Sequence, residues 1–363
     1  MTSTAAKDEA RIELWNMVVP LAEVLEASAG PRKRTAHVLF AFINAAGKRG
    51  VGYSIFRELK NLDLATAAAQ QLVRSVPPQM TALLDIERFE ESNRQGDVTA
   101  NRSAANALSL AAWDLAAQQQ GCACADLWGR PAGRTELECY ASALWQEQSL
   151  DELVVEAKHY RDLNYPYVKM RVVHELKENL ERIAAVRSVY TKPATIAIEA
   201  AGAQWNVDDA NAFIRAAQGQ YLWTEDPVKY DVIGKVEATA NSKIVAGETC
   251  ATTAELIRLF DAGRVRSIVI DVQCIGGPVR FLEAARLLHA LGATIGGHRF
   301  PYYSSHLLAT FPRSLPLETI DWANPALEPY RAPDRNGRVP VQGPGFALRM
   351  NQAVFNRYAR RVA

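Results

Sequence analysis

The sequence predicts an α/β protein in which a parallel βα barrel follows a smaller α+β domain. Between residues 137 and 322, short apolar stretches alternate with stretches of helical spacing. Eight strand candidates and seven helical or partly helical connections favour a parallel sheet closed into a barrel. An open doubly wound sheet is the alternative, but the glycine-rich phosphate-binding turn that such sheets often carry is absent from the sequence.

The first part of the chain, residues 1–130, is assigned to the α+β domain. The runs RIELWNMVV and HVLFAFIN are typical of strands, and helical patterns occupy much of the stretch from 64 to 120. The segment AAGKRG lies between two strand-like runs and predicts a hairpin turn.

The barrel is assigned to residues 131–329. Its helical stretches include PVRFLEAARLLHALG, whose apolar residues recur on one face. The predicted strands are, in order, LECYASA, YVKMRV, TIAIEA, YLWTEDP, KIVAGET, SIVIDVQ, ATIGG and PLETIDW. Residues 330–363 contain many turn formers and are better suited to packing across a surface than to building a barrel.

The composition excludes several classes of function. Lys and Arg total 41 and Asp and Glu total 40, so the net charge of +1 attracts neither nucleic acid nor an anionic membrane. Apolar runs are too short to span a membrane, and the N-terminus does not have a secretory pattern. The five cysteines are too scattered for a disulfide framework, so we expect a reducing cytoplasm.

Almost every predicted strand ends in a polar side chain. In βα barrels the catalytic residues lie at these carboxyl ends of the strands. Three consecutive strands end in glutamate, and such a carboxylate cluster is repulsive without a cation. Oxygen ligands without Cys or His favour a hard ion, which predicts Mg²⁺. The residues at the strand ends are Lys169, Arg171, Glu199, Glu225, Glu248, Asp271, His298 and Glu318.

Asp271 and His298 bracket one helical unit, which places them on adjacent strands where a carboxylate can orient an imidazole. A second histidine, His306, lies eight residues after His298 at the start of the next predicted helix, and it is interpreted as structural.

With these motifs, the sequence resembles the enolase superfamily, mandelate racemase subgroup. The resemblance extends over nearly the whole chain and includes NALSLAAWDLAAQQQGCACADLWGR and VPVQGPGF. It implies a modified TIM barrel, (β/α)7β, with an α+β capping domain that the C-terminal segment completes. It also implies a small-molecule carboxylate substrate and a homo-oligomer.

The resemblance implies a role for each residue of the cluster. Glu199, Glu225 and Glu248 match the metal ligands, and Asp271 and His298 match the His-Asp dyad. The family usually has Asp at the first ligand, with Asn two residues later, where this chain has Glu199 and then alanine.

Lys169 and Arg171 match the K-x-K pair of the second strand, and Glu318 matches the acid that donates a hydrogen bond to the substrate carboxylate. Arginine in the second position keeps its proton at any ordinary pH, since its pKa exceeds about 12. With one competent base, His298, the predicted reaction is dehydration of an acid sugar to a 2-keto-3-deoxy acid through an enediolate. The alternatives are a racemase or epimerase of a 2-hydroxy acid, with Arg171 or Lys169 serving the second face, and a catalytically degenerate binding barrel.

Substrate contacts are expected from the capping domain, as the resemblance implies. The stretch SAGPRKRTAH carries Arg32, Lys33 and Arg34, which are interpreted either as a solvated basic turn or as a clamp for a distal carboxylate. Tyr53, in the predicted GYSI turn, is a further candidate lid contact.

Overall fold

An antiparallel sheet with helices packed on it forms the N-terminal part of the protein. The computed structural model describes residues 10–24, 34–74, 83–92, 98–192, 194–201, 204–237 and 243–363. The strands are β1 (Arg11–Pro20), β2 (Thr35–Ala45) and β3 (Lys48–Phe56), and the helices are α1 (Leu59–Val73), α2 (Leu83–Ser92), α3 (Val98–Gln120) and α4 (Cys124–Leu127).

The predicted hairpin turn joins β2 and β3, whose last and first residues, Ala45 and Lys48, are paired. Helix α3 lies against β3 at two glycines, Gly50 and Gly52. A Cβ atom at either position would collide with the backbone oxygen of Ala111 or Ala107 in the helix. The glycines therefore allow the helix backbone to approach the sheet closely.

The second sheet contains eight parallel strands in the order of the chain, and the last of them pairs with the first. The seventh strand is linked to the residues just before the eighth by a backbone hydrogen bond of 2.8 Å from Leu315 N to Ile295 O. The sheet therefore closes on itself. This confirms the predicted barrel. The strands are β4 (Glu136–Ser142), β5 (Tyr167–Arg171), β6 (Ile196–Glu199), β7 (Trp223–Glu225), β8 (Lys243–Ala246), β9 (Val265–Ile270), β10 (Thr294–Gly297) and β11 (Leu317–Thr319).

Helices connect the strands on the outside of the barrel. They are α5 (Leu150–Asp162), α6 (Leu176–Arg187), α7 (Val207–Ala216), α8 (Thr253–Asp261), α9 (Val272–Ile275), α10 (Pro278–Ala290) and α11 (Pro301–Leu308). Ser149, Asn206 and Thr252 cap α5, α7 and α8 by accepting hydrogen bonds from first-turn backbone N–H groups. Between β7 and β8 the described residues contain a 3₁₀ turn, Ile233–Lys235; the others are Leu21–Glu23 and Asp321–Ala323.

The C-terminal segment contacts both sheets. Its elements are β12 (Arg338–Pro340), α12 (Gln352–Tyr358) and β13 (Ala359–Arg361). Strand β12 pairs with β4, and β13 pairs with β1 through Trp15 and Arg361. The division into domains at 130 and 329 stays a prediction. Among the described residues, no helix is both long and apolar enough to cross a membrane.

Candidate active site

The carboxyl ends of the barrel strands surround a cavity of about 640 Å³. Glu199, Glu248 and His298 line it on the barrel side, while Arg34 lies on the side of the N-terminal sheet. The cavity is therefore placed where the chemistry of a βα barrel is expected.

The three glutamates converge, as their strand-end positions predict. Glu199 and Glu225 end β6 and β7, and Glu248 follows β8 after Gly247. Gly247 has a φ of 126°, and a Cβ there would lie 2.6 Å from Val269 O, so this turn requires glycine. One oxygen of each carboxylate lies within 4.8 Å of the others, and all three residues are buried.

This donor set fits a divalent metal ion. Burial raises the pKa of Glu225 to about 7, with Lys169 opposing and the neighbouring carboxylates adding to the increase. A cation among the three carboxylates removes that repulsion, and an all-oxygen set suits a hard ion. Glu199, whose Oε1 accepts a hydrogen bond of 3.0 Å from Ala201 N, is in place to be a ligand.

Lys169 is buried at the centre of the carboxylates. Its Nζ lies 2.7 Å from Glu318 Oε1, 3.1 Å from Glu225 Oε1 and 3.4 Å from Glu199 Oε2. Burial alone disfavours the ammonium ion, but these carboxylates outweigh it and hold the pKa of Lys169 above its usual range. Lys169 is therefore a fixed positive charge at the barrel mouth.

His298 and Asp271 form the predicted pair, since Nδ1 lies 2.8 Å from Asp271 Oδ2. Asp271 caps α9, and its Oδ1 accepts hydrogen bonds of 2.8 and 2.9 Å from the N–H groups of Gln273 and Cys274. On the other side of the ring, Nε2 lies 3.0 Å from Glu248 Oε2. Burial opposes the charge, but Glu248 and Asp271 together raise the pKa of His298.

Arg299 also belongs to the site, although the pattern of polar strand ends does not identify it. Both Arg299 and Phe300 have left-handed φ values, 52° and 51°, directly after the histidine. This turn aims the Arg299 N–H at Glu318 Oε2, 2.7 Å away, and brings its Nη2 within 3.4 Å of Asp271 Oδ2. Only the basic residue after His298 is visible in the sequence, and it does not reveal the backbone reversal that places it here.

Glu318 accepts hydrogen bonds where the resemblance implies that it donates one. Although burial opposes ionisation, the charges of Lys169 and His298 and the Arg299 N–H lower its pKa below the usual range. In the arrangement described, Glu318 is therefore a carboxylate. Donation of a hydrogen bond to a substrate carboxylate would require a proton that Glu318 lacks in this arrangement.

Arg171 lines the same cavity and is firmly held. Its Nη1 donates to Ala143 O at 3.1 Å and its Nη2 donates to Ser142 Oγ at 3.2 Å. The guanidinium carbon lies 3.7 Å from the ring centroid of Trp145. A guanidinium fixed in this way is suited to electrostatic contact rather than proton exchange.

Of the four predicted substrate contacts, only Arg34 lines the cavity among the residues that the structure describes. Arg32 and Lys33 lie outside the described residues, and Arg34 lines the cavity. The assignment of Tyr53 as a lid contact is wrong. Tyr53 lies within β3, not in a turn, is 1% exposed, and packs against Phe300 and Tyr303. All residues of β3 from 50 to 56 are buried, so the ring of Tyr53 lies in the core, where it cannot meet a ligand.

His306 lies on α11 and is not among the residues that line the cavity. Its Nδ1 accepts a hydrogen bond of 3.2 Å from Ala125 N, and its ring packs on Phe346. Burial lowers its pKa to about 3, so the ring stays neutral. These contacts agree with a structural role.

Sequence comparison places the chain in a known family. The model of the enolase C-terminal domain-like family matches residues 152–354, more than half of the chain. The chain belongs to the enolase superfamily. The match confirms the resemblance inferred from the strand-end motifs.

The chain is also similar to individual known proteins, in sequence or in fold. D-gluconate dehydratase from Thermoproteus tenax is 26% identical over 284 residues, which are 70% of this chain and 56% of that relative's length. A mandelate racemase/muconate lactonizing enzyme from Polaromonas sp. JS666 superposes with a TM-score of 0.84 at 23% identity, covering 98% of this chain and 99% of the other.

L-talarate dehydratase from Polaromonas sp. JS666, solved with Mg and L-glucarate, superposes with a TM-score of 0.81 at 22% identity and covers 98% of this chain and 99% of its own. At these identities the two structures establish the fold alone.

Proposed function

We propose that the protein dehydrates an acid sugar to a 2-keto-3-deoxy acid in a Mg²⁺-dependent reaction. The observation that carries the proposal is the asymmetry of the site. A histidine oriented by Asp271 lies beside the carboxylate cluster, while the position that supplies a second base in the resembling family holds Arg171. The dehydratase relative and the dehydratase structure solved with Mg and a sugar diacid support the same reaction class.

Glu199, Glu225 and Glu248 are the residues that would hold Mg²⁺. When bound, the ion would supply the positive charge that polarises the substrate carboxylate and makes the neighbouring proton more acidic. Lys169 places a positive charge beside this carboxylate cluster, with its Nζ 2.7 Å from Glu318 Oε1.

His298 performs the proton chemistry. Its neutral Nε2 removes the proton from the α-carbon, and Asp271 stabilises the imidazolium that results. The same proton then passes to the hydroxyl group on the β-carbon, the carbon–oxygen bond breaks, and water leaves. The remaining enol becomes the 2-keto-3-deoxy acid, and His298 returns to its starting state.

The two other residues considered as bases are unsuited to proton exchange. Arg171 is bonded to two barrel oxygens and stacked on Trp145, and its guanidinium rarely releases a proton. Lys169 is held in its charged form by three carboxylates. Racemisation requires proton exchange on both faces, so this arrangement favours elimination.

A panel of acid sugars tests the proposal. Gluconate, glucarate and their stereoisomers are incubated with the protein and Mg²⁺, and 2-keto-3-deoxy products are detected by their carbonyl group. At least one acid is expected to give product, and chelation of the metal is expected to stop it. Failure of every acid, with α-proton exchange intact, would support a racemase; failure without exchange would support a binding barrel.

A further inference from the structure

Two guanidinium groups share one indole ring at the wall of the cavity. The guanidinium carbons of Arg34 and Arg171 lie 4.8 and 3.7 Å from the ring centroid of Trp145. Arg34 comes from the N-terminal part of the chain, just before β2, and Arg171 ends β5 of the barrel. All three residues line the cavity that also contains Glu199 and His298.

The Trp145 ring is itself fixed. Trp145 is 4% exposed, its backbone N–H donates to Gln148 Oε1 at 2.6 Å, and its backbone carbonyl accepts from Arg182 Nη2 at 2.7 Å. Trp322 packs edge-on against the ring. The indole ring contributes cation–π attraction to both guanidinium groups at the cavity wall.

The two positive charges lack an ion-pair partner. Among the residues that the structure describes, no carboxylate oxygen lies within 4.0 Å of either guanidinium. Arg34 is exposed, and the pKa of its guanidinium is lowered by partial desolvation and by the charges of Arg171 and Arg57, against the opposing effect of Glu147. Like charges held together on a partly desolvated wall favour the arrival of an anion.

The rest of the cavity indicates which anion fits. Its barrel end carries the metal-binding carboxylates, where the substrate carboxylate must sit if the proposed function holds. A substrate in that position extends away from the carboxylate cluster toward the remaining walls. A neutral hydroxyl end would leave the guanidinium charges unmatched, whereas a second carboxylate can accept hydrogen bonds from both.

We propose that Arg34 and Arg171, positioned by Trp145, bind a second carboxylate at the far end of the substrate. The substrate is then a sugar diacid rather than a monoacid. This inference rests on the proposed function for the placement of the first carboxylate. Arg34 and Arg171 are the binding groups, and Trp145 is a positioning residue.

The test compares an aldarate with the aldonate of the same configuration, which has a hydroxyl group in place of the second carboxylate. Affinities are measured by calorimetry with saturating Mg²⁺ in His298→Asn protein, so that neither acid is consumed. The aldarate is expected to bind about 10–100-fold more tightly, as charge-assisted hydrogen bonds imply. Adding Arg34→Met is expected to bring the ratio of the two affinities close to one.

Arg266→Met is the matched control. Arg266 also stacks on an aromatic ring, with its guanidinium carbon 4.5 Å from the Phe260 centroid, but it does not line the cavity. Its replacement should leave the ratio unchanged. Equal affinities in the parent protein, or equal losses for both acids in Arg34→Met, would overturn the diacid assignment even if an aldonate is dehydrated. Binding of neither acid would overturn the assignment and the proposed function together.

Discussion

Replacing Asp271 by asparagine is expected to reverse the tautomer of His298. The new amide oxygen can keep both backbone hydrogen bonds that Asp271 Oδ1 accepts from Gln273 and Cys274. The amide NH₂ group then takes the place of Oδ2, which lies 2.8 Å from His298 Nδ1. Because an NH₂ group donates, Nδ1 must accept, and the ring proton moves to Nε2, the nitrogen that has to accept the substrate proton.

The expected cost is a fall in kcat of about 10⁴-fold, the magnitude known for a carboxylate–imidazole pair forced into the wrong tautomer. That factor corresponds to about 5.4 kcal/mol of transition-state stabilisation. The assay is the initial rate of product formation with the acid that the panel shows to be turned over, together with thermal unfolding to confirm that the variant is folded.

Asp334→Asn is the matched control. Asp334 Oδ1 also accepts two backbone hydrogen bonds, from Asn336 and Arg338 at 2.8 and 2.9 Å, but Asp334 is exposed and lies outside the cavity. Its variant should turn over substrate at the wild-type rate. A folded Asp271→Asn variant whose kcat stays within tenfold of wild type would refute the assigned role of the pair.

Three further predictions concern the metal, His306 and the stability. Calorimetry is expected to show one Mg²⁺ site, which Glu225→Gln and Glu248→Gln should each abolish; undiminished binding in both variants would contradict the assignment. His306→Asn should leave kcat close to wild type while lowering the free energy of unfolding by about 1–3 kcal/mol, because it disturbs a buried hydrogen bond. Burial raises the pKa of Glu90 from 4.5 to about 7. The folded protein therefore binds this proton more tightly than the unfolded chain does. The free energy of unfolding should fall as pH rises from about 4.5 to 7, by up to about 1.4 kcal/mol per pH unit. Glu90→Gln should remove this part of the pH dependence, as measured by urea titrations.

The barrel and the core of the site could be predicted because both follow from local pattern. Alternating strand and helix periodicity fixes the order of parallel strands, and parallel strands bring their carboxyl ends to one rim. Residues that end consecutive strands, such as Glu199, Glu225 and Asp271, must therefore meet. The departure from the family pattern at Glu199 did not prevent its carboxylate from reaching the other two.

The remaining contacts depend on geometry that periodicity does not contain. Arg299 reaches Asp271 because Arg299 and Phe300 both adopt left-handed backbone conformations. The residue types in this segment do not predict those conformations. Arg34 reaches the Trp145 ring only because the N-terminal part of the chain packs against the barrel, which local periodicity does not show. The predicted turn at Tyr53 is wrong because strand β3 continues through this segment and buries the ring.

The central claim is that a single base, His298, performs the proton chemistry on one face of the substrate. Incubation in heavy water tests this most directly, with the recovered substrate analysed for deuterium and for configuration at the α-carbon. Deuterium in recovered substrate should be found only with retained configuration, and His298→Asn should eliminate it. Deuterium-labelled epimer formed by the wild-type protein would show exchange on both faces and contradict the single-base account.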